Sequence, residues 1–454
     1  MTRTNTIPVP SPSLLIYARF DSPRLQYVLQ WIFAEQMGIA WRVTMDAEAW
    51  KRYEGPRINY SSTTLVADAL QIIPHTLLAE DDIRPQALAV QRWKHSTTLF
   101  YNHPGATVPF DLFAAVFYLI SRYEEYLPHR EDRHGRYEAG QSAAAQYAFL
   151  QEPVVDQWIG QLRRILVQRF GLALAVPSFR FQPTYDVDIA WKYRYRGAKH
   201  YWGGMARELL QLKWGSAASR LAKGLAKGKD PYDCFDWLDQ LHEHYGADPV
   251  YFFLAGSGSA YDRNVPPGTP AMQDLMRRTG GRYAVGVHPS YLSHSDQRIL
   301  SEEKEIVAAA TRQEITRSRQ HYIKFSLPLT YRNLVQAGIT DDYSMGYAAA
   351  NGFRAGTSNS FPWYDLESAA VQPLRVHPFV FMDATSRFYL HHKPAEAMAE
   401  WERLWYSVQQ AGGIFTSIMH NHLLGPAREN KGWAAVYQQM LERIISRPAS
   451  SLIQ

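Results

Sequence analysis

From about residue 180 onward the chain alternates short apolar runs with helical stretches, and this limits its fold more than any other feature of the sequence. The apolar runs are RFQPTYDVD (180–188), DPVYFFLAG (248–256), RYAVGVHPS (282–290), TRSRQHYIKF (316–325), DDYSMGY (341–347), GFRAGT (352–357), HPFVFMDAT (377–385) and GGIFTSIMHNH (412–422). Helical segments fit between several of them: YDCFDWLDQLHEHY (232–245), DQRILSEEKEIVAAAT (296–311), LTYRNLVQAG (329–338) and AEAMAEWERLWYSVQQAG (395–412). Seven or eight β-units separated by helices predict a parallel α/β barrel, (β/α)7–8, over residues 176–454. Barrels of this kind carry their chemistry at the C-terminal ends of the strands.

The first 175 residues predict a smaller α/β domain. SLLIYARF (13–20) reads as a buried strand, and SPRLQYVLQWIFAEQM (22–37) as a helix opened by a Ser cap and a first-turn Pro. AWRVTM (40–45) reads as a second strand. Two further helices, PFDLFAAVFYLISRYEEYLP (109–128) and PVVDQWIGQLRRILVQRFG (153–171), flank the polar loop HREDRHGRYEAGQSAA. At 454 residues the chain is also too long for one ordinary core.

Composition excludes several function classes. A net charge of +5, from 48 basic and 43 acidic residues, gives no reason to expect a nucleic-acid partner. The most basic stretch, QLKWGSAASRLAKGLAKGKDPYD (211–233), reads as an amphipathic helix with a solvated face. The single cysteine, Cys234, rules out an internal disulfide framework and a cysteine-based zinc site. The N-terminus shows no secretory pattern, and the longest apolar run, FDLFAAVFYLI (110–120), is too short to span a bilayer. A cytoplasmic protein is therefore expected. Aromatic residues reach 13%, which suits a sugar-binding cleft, although composition alone favours ordinary packing.

Chemistry-bearing residues collect at the ends of the expected strands. Asp186 and Asp188 end the first; two apart in a strand, they face the same side. Two carboxylates that close call for a cation between them or a shared proton, and a metal on one leaves the other as a general base. A β-turn or helix-cap acid pair would account for the same residues. His288 ends the third strand in VGVHPSYLSHSD (285–296), with His294 six residues on as a weaker ligand candidate. Arg319 and His321 share a face of the fourth, and His420 and His422 share one of the eighth. Arg354 lies in the sixth and Asp383 in the seventh. His242, His244, His391 and His392 read as surface residues.

On these motifs the region 180–425 resembles the polysaccharide deacetylases (carbohydrate esterase family 4). In particular it resembles a bacterial branch in which a poorly characterised N-terminal domain precedes the deacetylase domain. TYDVD is similar to the Asp-x-Asp form of the family's first motif. VGVHPSY, SRQHY and LPLTYRNLVQAGITDDYSMGYAAANGFRAGTS resemble that branch, and FDLFAAVFYLISRYEEYLPHREDRHGRYEA fits its N-terminal domain. The resemblance implies a distorted barrel of the deacetylase type, with Asp186 as base and Asp188 as metal ligand. The family's second motif carries two His four residues apart; here the first is His288, and Leu292 stands where the second would be. His321 or His294 then completes the set, or the site holds metal weakly or not at all. His420 in SIMHN matches the general acid, with Asp383 to orient it and Arg319 or Arg354 to pair with Asp186.

The activity so implied is removal of an N-acetyl group from an amino sugar or from a polysaccharide or glycolipid precursor. A divalent metal, Zn²⁺ by its Asp/His ligands, would activate water for Asp186 to deprotonate, and His420 would protonate the leaving amine. Two other readings stand beside it. One is hydrolysis of a different C–N bond, such as a cyclic amide; the other is a non-catalytic carbohydrate-binding protein on the same scaffold.

Overall fold

The protein is described here by a computed structural model over residues 13–196, 210, 229–256 and 259–446. The expected basic helix at 211–233 falls largely outside these residues. The N-terminal region is built on four parallel strands in the order β2-β1-β3-β4: β1 (Leu14–Ala18), β2 (Trp41–Thr44), β3 (Arg57–Tyr60) and β4 (Leu70–Gln71). Every residue of β1 is buried, as a parallel strand covered on both faces requires. A short antiparallel pair, β5 (Gln91–Trp93) and β6 (Ser96–Thr98), follows.

Helix Pro23–Leu29 starts where expected, with Ser22 Oγ accepting the Leu25 N–H at 3.1 Å, and runs on as a wider π-helical stretch, Gln30–Gln36. Helix Leu112–Ile120 is buried on all sides, which explains why its apolar residues show no stripe. Its cap, Asp111, accepts from Ala114 N at 3.0 Å and also from Tyr60 Oη at 2.7 Å, tying the helix to β3. The helix ends eight residues before the expected boundary at 128, because Arg122 turns into the left-handed region at φ 54°.

The second sheet has nine strands in the order β12-β13-β11-β10-β9-β8-β7-β15-β14. They are β7 (Arg180–Val187), β8 (Val250–Leu254), β9 (Ala284–His288), β10 (Arg317–Ser318), β11 (Asp341–Asp342), β12 (Phe361–Asp365), β13 (Ala370–Val376), β14 (Phe381–Met382) and β15 (Ile414–His420). All neighbours are parallel except β12 and β13. In hydrogen-bonding terms the expected barrel is incomplete. No ladder joins the two ends among the described residues; isolated bonds from Phe379 N to Met345 O (3.1 Å) and Gly352 N to Val380 O (2.9 Å) link the chain after β11 to the residues leading into β14. The β12–β13 hairpin and the helices Pro270–Gly280 and Trp433–Ser446 were not expected from the sequence. No helix among the described residues is long and apolar enough to cross a membrane.

GFRAGT (352–357), expected as a strand, instead forms buried turns that dock the N-terminal region. Val155 N bonds Gly356 O at 2.9 Å, and Phe353 N bonds Leu150 O at 2.8 Å. Gly356 lies at φ 66°, and a Cβ there would come within 2.8 Å of Leu119 Cδ1, so no other residue fits without a shift. Asp156 accepts from both the N–H and Oγ of Ser358, each at 2.9 Å. Arg354, expected beside Asp186, belongs to this contact: its guanidinium grips Glu125 through two bonds, Nε at 2.9 Å and Nη2 at 2.6 Å. Glu125 also takes Arg122 Nε at 2.7 Å, and moving Arg354 away would strip this buried carboxylate of half its partners. One hydrophobic core runs without a break through both sheets.

Candidate metal centre

Parallel pairing puts the C-terminal ends of β7, β8, β9 and β15 side by side. Asp186 pairs in register with His420 on β15 and Phe252 on β8, and Leu254 of β8 with His288 on β9. Each of these strands contributes to one edge because all run the same way. β10 ends at Ser318, and the chain continues beside β9, with Arg319 N bonded to Val287 O at 3.1 Å and His321 N to Pro289 O at 3.2 Å. That path carries Arg319 inward and brings His321 to the same edge.

Asp188, His288 and His321 converge there. Their ligand atoms lie within 4.8 Å of one another, the one such triad of metal-binding side chains among the described residues. His288 Nε2 is 3.1 Å from Asp188 Oδ1, and His321 Nε2 is 3.7 Å from Asp188 Oδ2. The outer nitrogens of both rings are already used. His288 Nδ1 lies 2.5 Å from Arg319 O; a carbonyl only accepts, so Nδ1 carries the proton and Nε2 the lone pair. His321 Nδ1 lies 2.9 Å from Asp262 Oδ1, the same arrangement with a carboxylate behind the ring. Asp188 Oδ1 is buried and accepts no hydrogen bond. Two imidazole lone pairs and an orphaned carboxylate oxygen are a donor set that fits a divalent cation with mixed N/O ligation. In the metal-free protein burial raises the Asp188 carboxyl, but the charges of His321 and His420 outweigh it and hold the group well below the usual range; His321 is then protonated, and a cation would take the place of its Nε2 proton.

Asp186 is set apart from its neighbour by Arg319. Nη1 of this fully buried arginine bonds Asp186 Oδ1 at 2.8 Å, its Nε bonds Tyr343 O at 3.0 Å, and its guanidinium lies 4.4 Å from the centre of the Phe252 ring. Asp186 Oδ2 is left facing His288 and His420, 3.8 and 4.0 Å from their Nε2 atoms. His420 stands opposite, its Nε2 also 3.5 Å from Asp188 Oδ2. Asp383 grips it twice, accepting the backbone N–H at 2.8 Å and lying 2.6 Å from Nδ1. Burial lowers the His420 pKa, yet the charge of Asp383, with Asp188 and Asp186, more than reverses this and lifts it to about 10. His422, the neighbouring candidate, is pushed down to about 3 by burial and then by His420, and it packs against Tyr232 instead.

Leu292, four residues after His288, is 46% exposed at the start of a short 3₁₀ turn. It points away because the loop is fixed from inside: Ser290 N donates to Glu303 Oε2 at 2.8 Å and Tyr291 N to Asp262 Oδ1 at 3.0 Å. His294 lies outside the triad. Asp262 itself was missed in the sequence; it stands eight residues beyond the end of β8 in a loop with no ligand-like spacing, and only the position after a barrel strand pointed to it. His242, expected at the surface, is buried and lies 2.7 Å from Tyr185 Oη through Nε2, because its helix turns that face onto β7. Beyond His321 lies a rim of rings. Tyr261 stacks on Tyr291 at 4.2 Å between centroids, with Tyr322 5.3 Å from Tyr261. Tyr322 and Ile323 follow His321 in the left-handed region, φ 61° and 52°, a conformation that costs about 1–2 kcal/mol for each such residue.

Residues 14–171 match a family of unknown function, DUF7033. No curated protein sequence matches the chain. Among solved structures it is similar to a Mycobacterium smegmatis protein classed as a polysaccharide deacetylase: 12% identity over 60% of this chain and 88% of that one, TM-score 0.38. It is similar also to the Puue allantoinase, at 11% identity over 60% and 85% of the two chains, TM-score 0.39. A polysaccharide deacetylase from Bacillus cereus matches at 10% identity over 59% and 88%, TM-score 0.28. These are remote likenesses.

Proposed function

We propose that the protein is a metal-dependent hydrolase that removes an N-acetyl group from an amino sugar or a saccharide precursor. The observation that carries this reading is the pairing of an open ligand triad, Asp188, His288 and His321, with two differently held groups, Asp186 and His420, at the same edge. A bound Zn²⁺ would polarise the acyl carbonyl and lower the pKa of a water molecule. Asp186, with Oδ1 engaged by Arg319, offers Oδ2 to take the proton of the attacking water. His420 donates its Nδ1 proton to Asp383 and, because the charges of Asp383, Asp188 and Asp186 favour the imidazolium, carries a second proton at Nε2 that it hands to the leaving amine. Arg319 and Asp383 act through these two side chains, Arg319 fixing Asp186 through Oδ1 and Asp383 favouring the charged form of His420. That is the division of labour amide hydrolysis needs. The rim formed by Tyr261, Tyr291 and Tyr322 supports a saccharide, since flat rings with polar tips cover a sugar face while staying wet.

The test is acetate release by the Zn²⁺-loaded protein from N-acetylated amino-sugar oligomers, run beside a panel of cyclic amides. The reading expects acetate release that Asp186→Asn removes. Ring opening of a cyclic amide without acetate release would transfer the same residues to the alternative C–N substrate. Saccharide binding with no turnover in either panel would favour the non-catalytic reading.

A further inference from the structure

Residues 131–137 belong to the N-terminal region, yet they reach the loop that carries His321. Glu131 and Tyr137 pair across a bridge, and Gly135 turns the chain between them at φ 73°. Asp132 closes the turn: Oδ1 accepts the N–H groups of His134 (2.8 Å) and Arg136 (3.1 Å), and Oδ2 takes Arg136 Nε at 2.8 Å and Nη2 at 2.6 Å. The buried guanidinium of Arg136, so anchored, donates from Nη1 to Tyr322 O at 2.6 Å and from Nη2 to Tyr389 Oη at 3.2 Å. Beside it, His134 Nδ1 lies 3.1 Å from Tyr291 Oη, and its ring packs 5.1 Å from that of Tyr322.

The Tyr322 carbonyl matters because of its position. Tyr322 follows His321 directly and, with Ile323, holds a left-handed backbone that side chains with a Cβ seldom adopt; for a β-branched residue such as Ile323 it is rarer still. Such a turn persists only where its surroundings hold it. From within, Ile323 N bonds Gln320 O at 2.9 Å and Lys324 N bonds His321 O at 3.1 Å. From outside, Arg136 grips the carbonyl between these two bonds with a charged donor, which makes the stronger kind of hydrogen bond.

We propose that Arg136 is a second positioning residue for His321, holding its backbone while Asp262 holds its ring, so that the 131–137 turn is a working part of the metal centre. The region matching the family of unknown function then sets the geometry of a ligand supplied by the second sheet. The proposal rests on reading Asp188, His288 and His321 as a metal site. A lysine at 136 keeps the charge but lacks the rigid fork that spans Asp132 and Tyr322 together.

The test uses the full chain, stripped of metal, and reads two quantities: Zn²⁺ affinity by competition with a chromophoric chelator, and the thermal midpoint without metal. Arg136→Gln is expected to weaken Zn²⁺ binding about 10–100-fold, the loss usual when a partner orienting a metal-binding histidine is removed. Arg136→Lys should fall between it and wild type, Asp132→Asn should shift affinity in the same direction, and exposed Arg130→Ala should leave it unchanged. If Arg136→Gln and Asp132→Asn lower the midpoint but keep wild-type Zn²⁺ affinity, the turn is structural only and the proposal is wrong. Should Arg136→Gln fail to fold, Asp132→Asn decides by the same readout. A wild-type protein that binds no Zn²⁺ overturns the metal-site reading itself, and this proposal with it.

Discussion

Two buried charge clusters sit in this molecule, and they differ in one respect. Where the N-terminal region meets the second sheet, Arg122, Arg354, Glu124 and Glu125 satisfy one another: Arg354 spends its third nitrogen, Nη1, on Gly346 O at 2.9 Å, and Glu124 accepts Ala143 N at 2.8 Å. At the strand edge, Asp186, Arg319, His288, His321 and His420 are buried and Asp188 is half-buried, and there Asp188 Oδ1 and Arg319 Nη2 are enclosed with no hydrogen-bond partner. A buried polar atom left unpaired costs about 1–3 kcal/mol, a cost that a cation held by Asp188 Oδ1 would offset. The closed cluster holds two regions together, and the open one has a donor set that fits a cation. Arg319 and Arg354 make the contrast within one residue type. Both are buried, and only Arg319 keeps a free nitrogen.

The contrast breaks most sharply if the open cluster proves inert. Asp186→Asn keeps the shape and the hydrogen bond from Arg319 but removes the proton acceptor, so acetate release should fall about 10²–10⁴-fold, with a urea midpoint lowered less than that of Glu125→Ala. The closed cluster should respond in the opposite way. Glu125→Ala strands buried Arg354 and leaves Arg122 with Glu124 as its remaining carboxylate, and should cost about 3–5 kcal/mol in urea unfolding, while the folded fraction keeps its Zn²⁺ affinity. Asp262→Asn sharpens the comparison from the side of the open cluster. It should weaken Zn²⁺ binding about 10-fold or more, with the affinity read by chelator competition and little change in stability.

The smallest expected effect is a difference in pH window. Burial raises the Glu125 carboxyl, but Arg354 and Arg122 bring it down from 4.5 to about 2. A depressed folded pKa stabilises above the unfolded value, so the closed cluster's contribution is complete above about pH 4.5 and is lost as the pH falls toward 2. In the metal-free protein His420 is raised from 6.5 to about 10, so its contribution is complete below 6.5 and is lost as the pH rises toward 10. Urea midpoints of the metal-free wild type should therefore fall at both ends, and Glu125→Gln should flatten the acid limb alone.

The open cluster was legible in the sequence to the extent that it lies on strands. Asp186 and Asp188 at a spacing of two, His288 after an apolar run and His420 after another are period-two signals, and parallel pairing brings them together. Asp262 carries no such signal, since a loop acid eight residues past a strand looks like any other. Arg354 misled for a related reason. GFRAGT has a strand's composition, but Gly352 and Gly356 at φ 136° and 66° break it into turns, and its arginine finds Glu125 more than two hundred residues away. The β12–β13 hairpin was hidden by Pro362, which is tolerated because β12 is an edge strand. Long-range partners such as these have no local pattern to betray them.

On the proposed function, Asp188, His288 and His321 hold a catalytic cation. Calorimetric titration of Zn²⁺ into the metal-free full chain, with acetate release followed on the same samples, tests it most directly. One ion should bind per chain, activity should rise in step with occupancy, and Asp188→Ala should lose both. Full activity after rigorous chelation, or undiminished Zn²⁺ binding by Asp188→Ala, would contradict it.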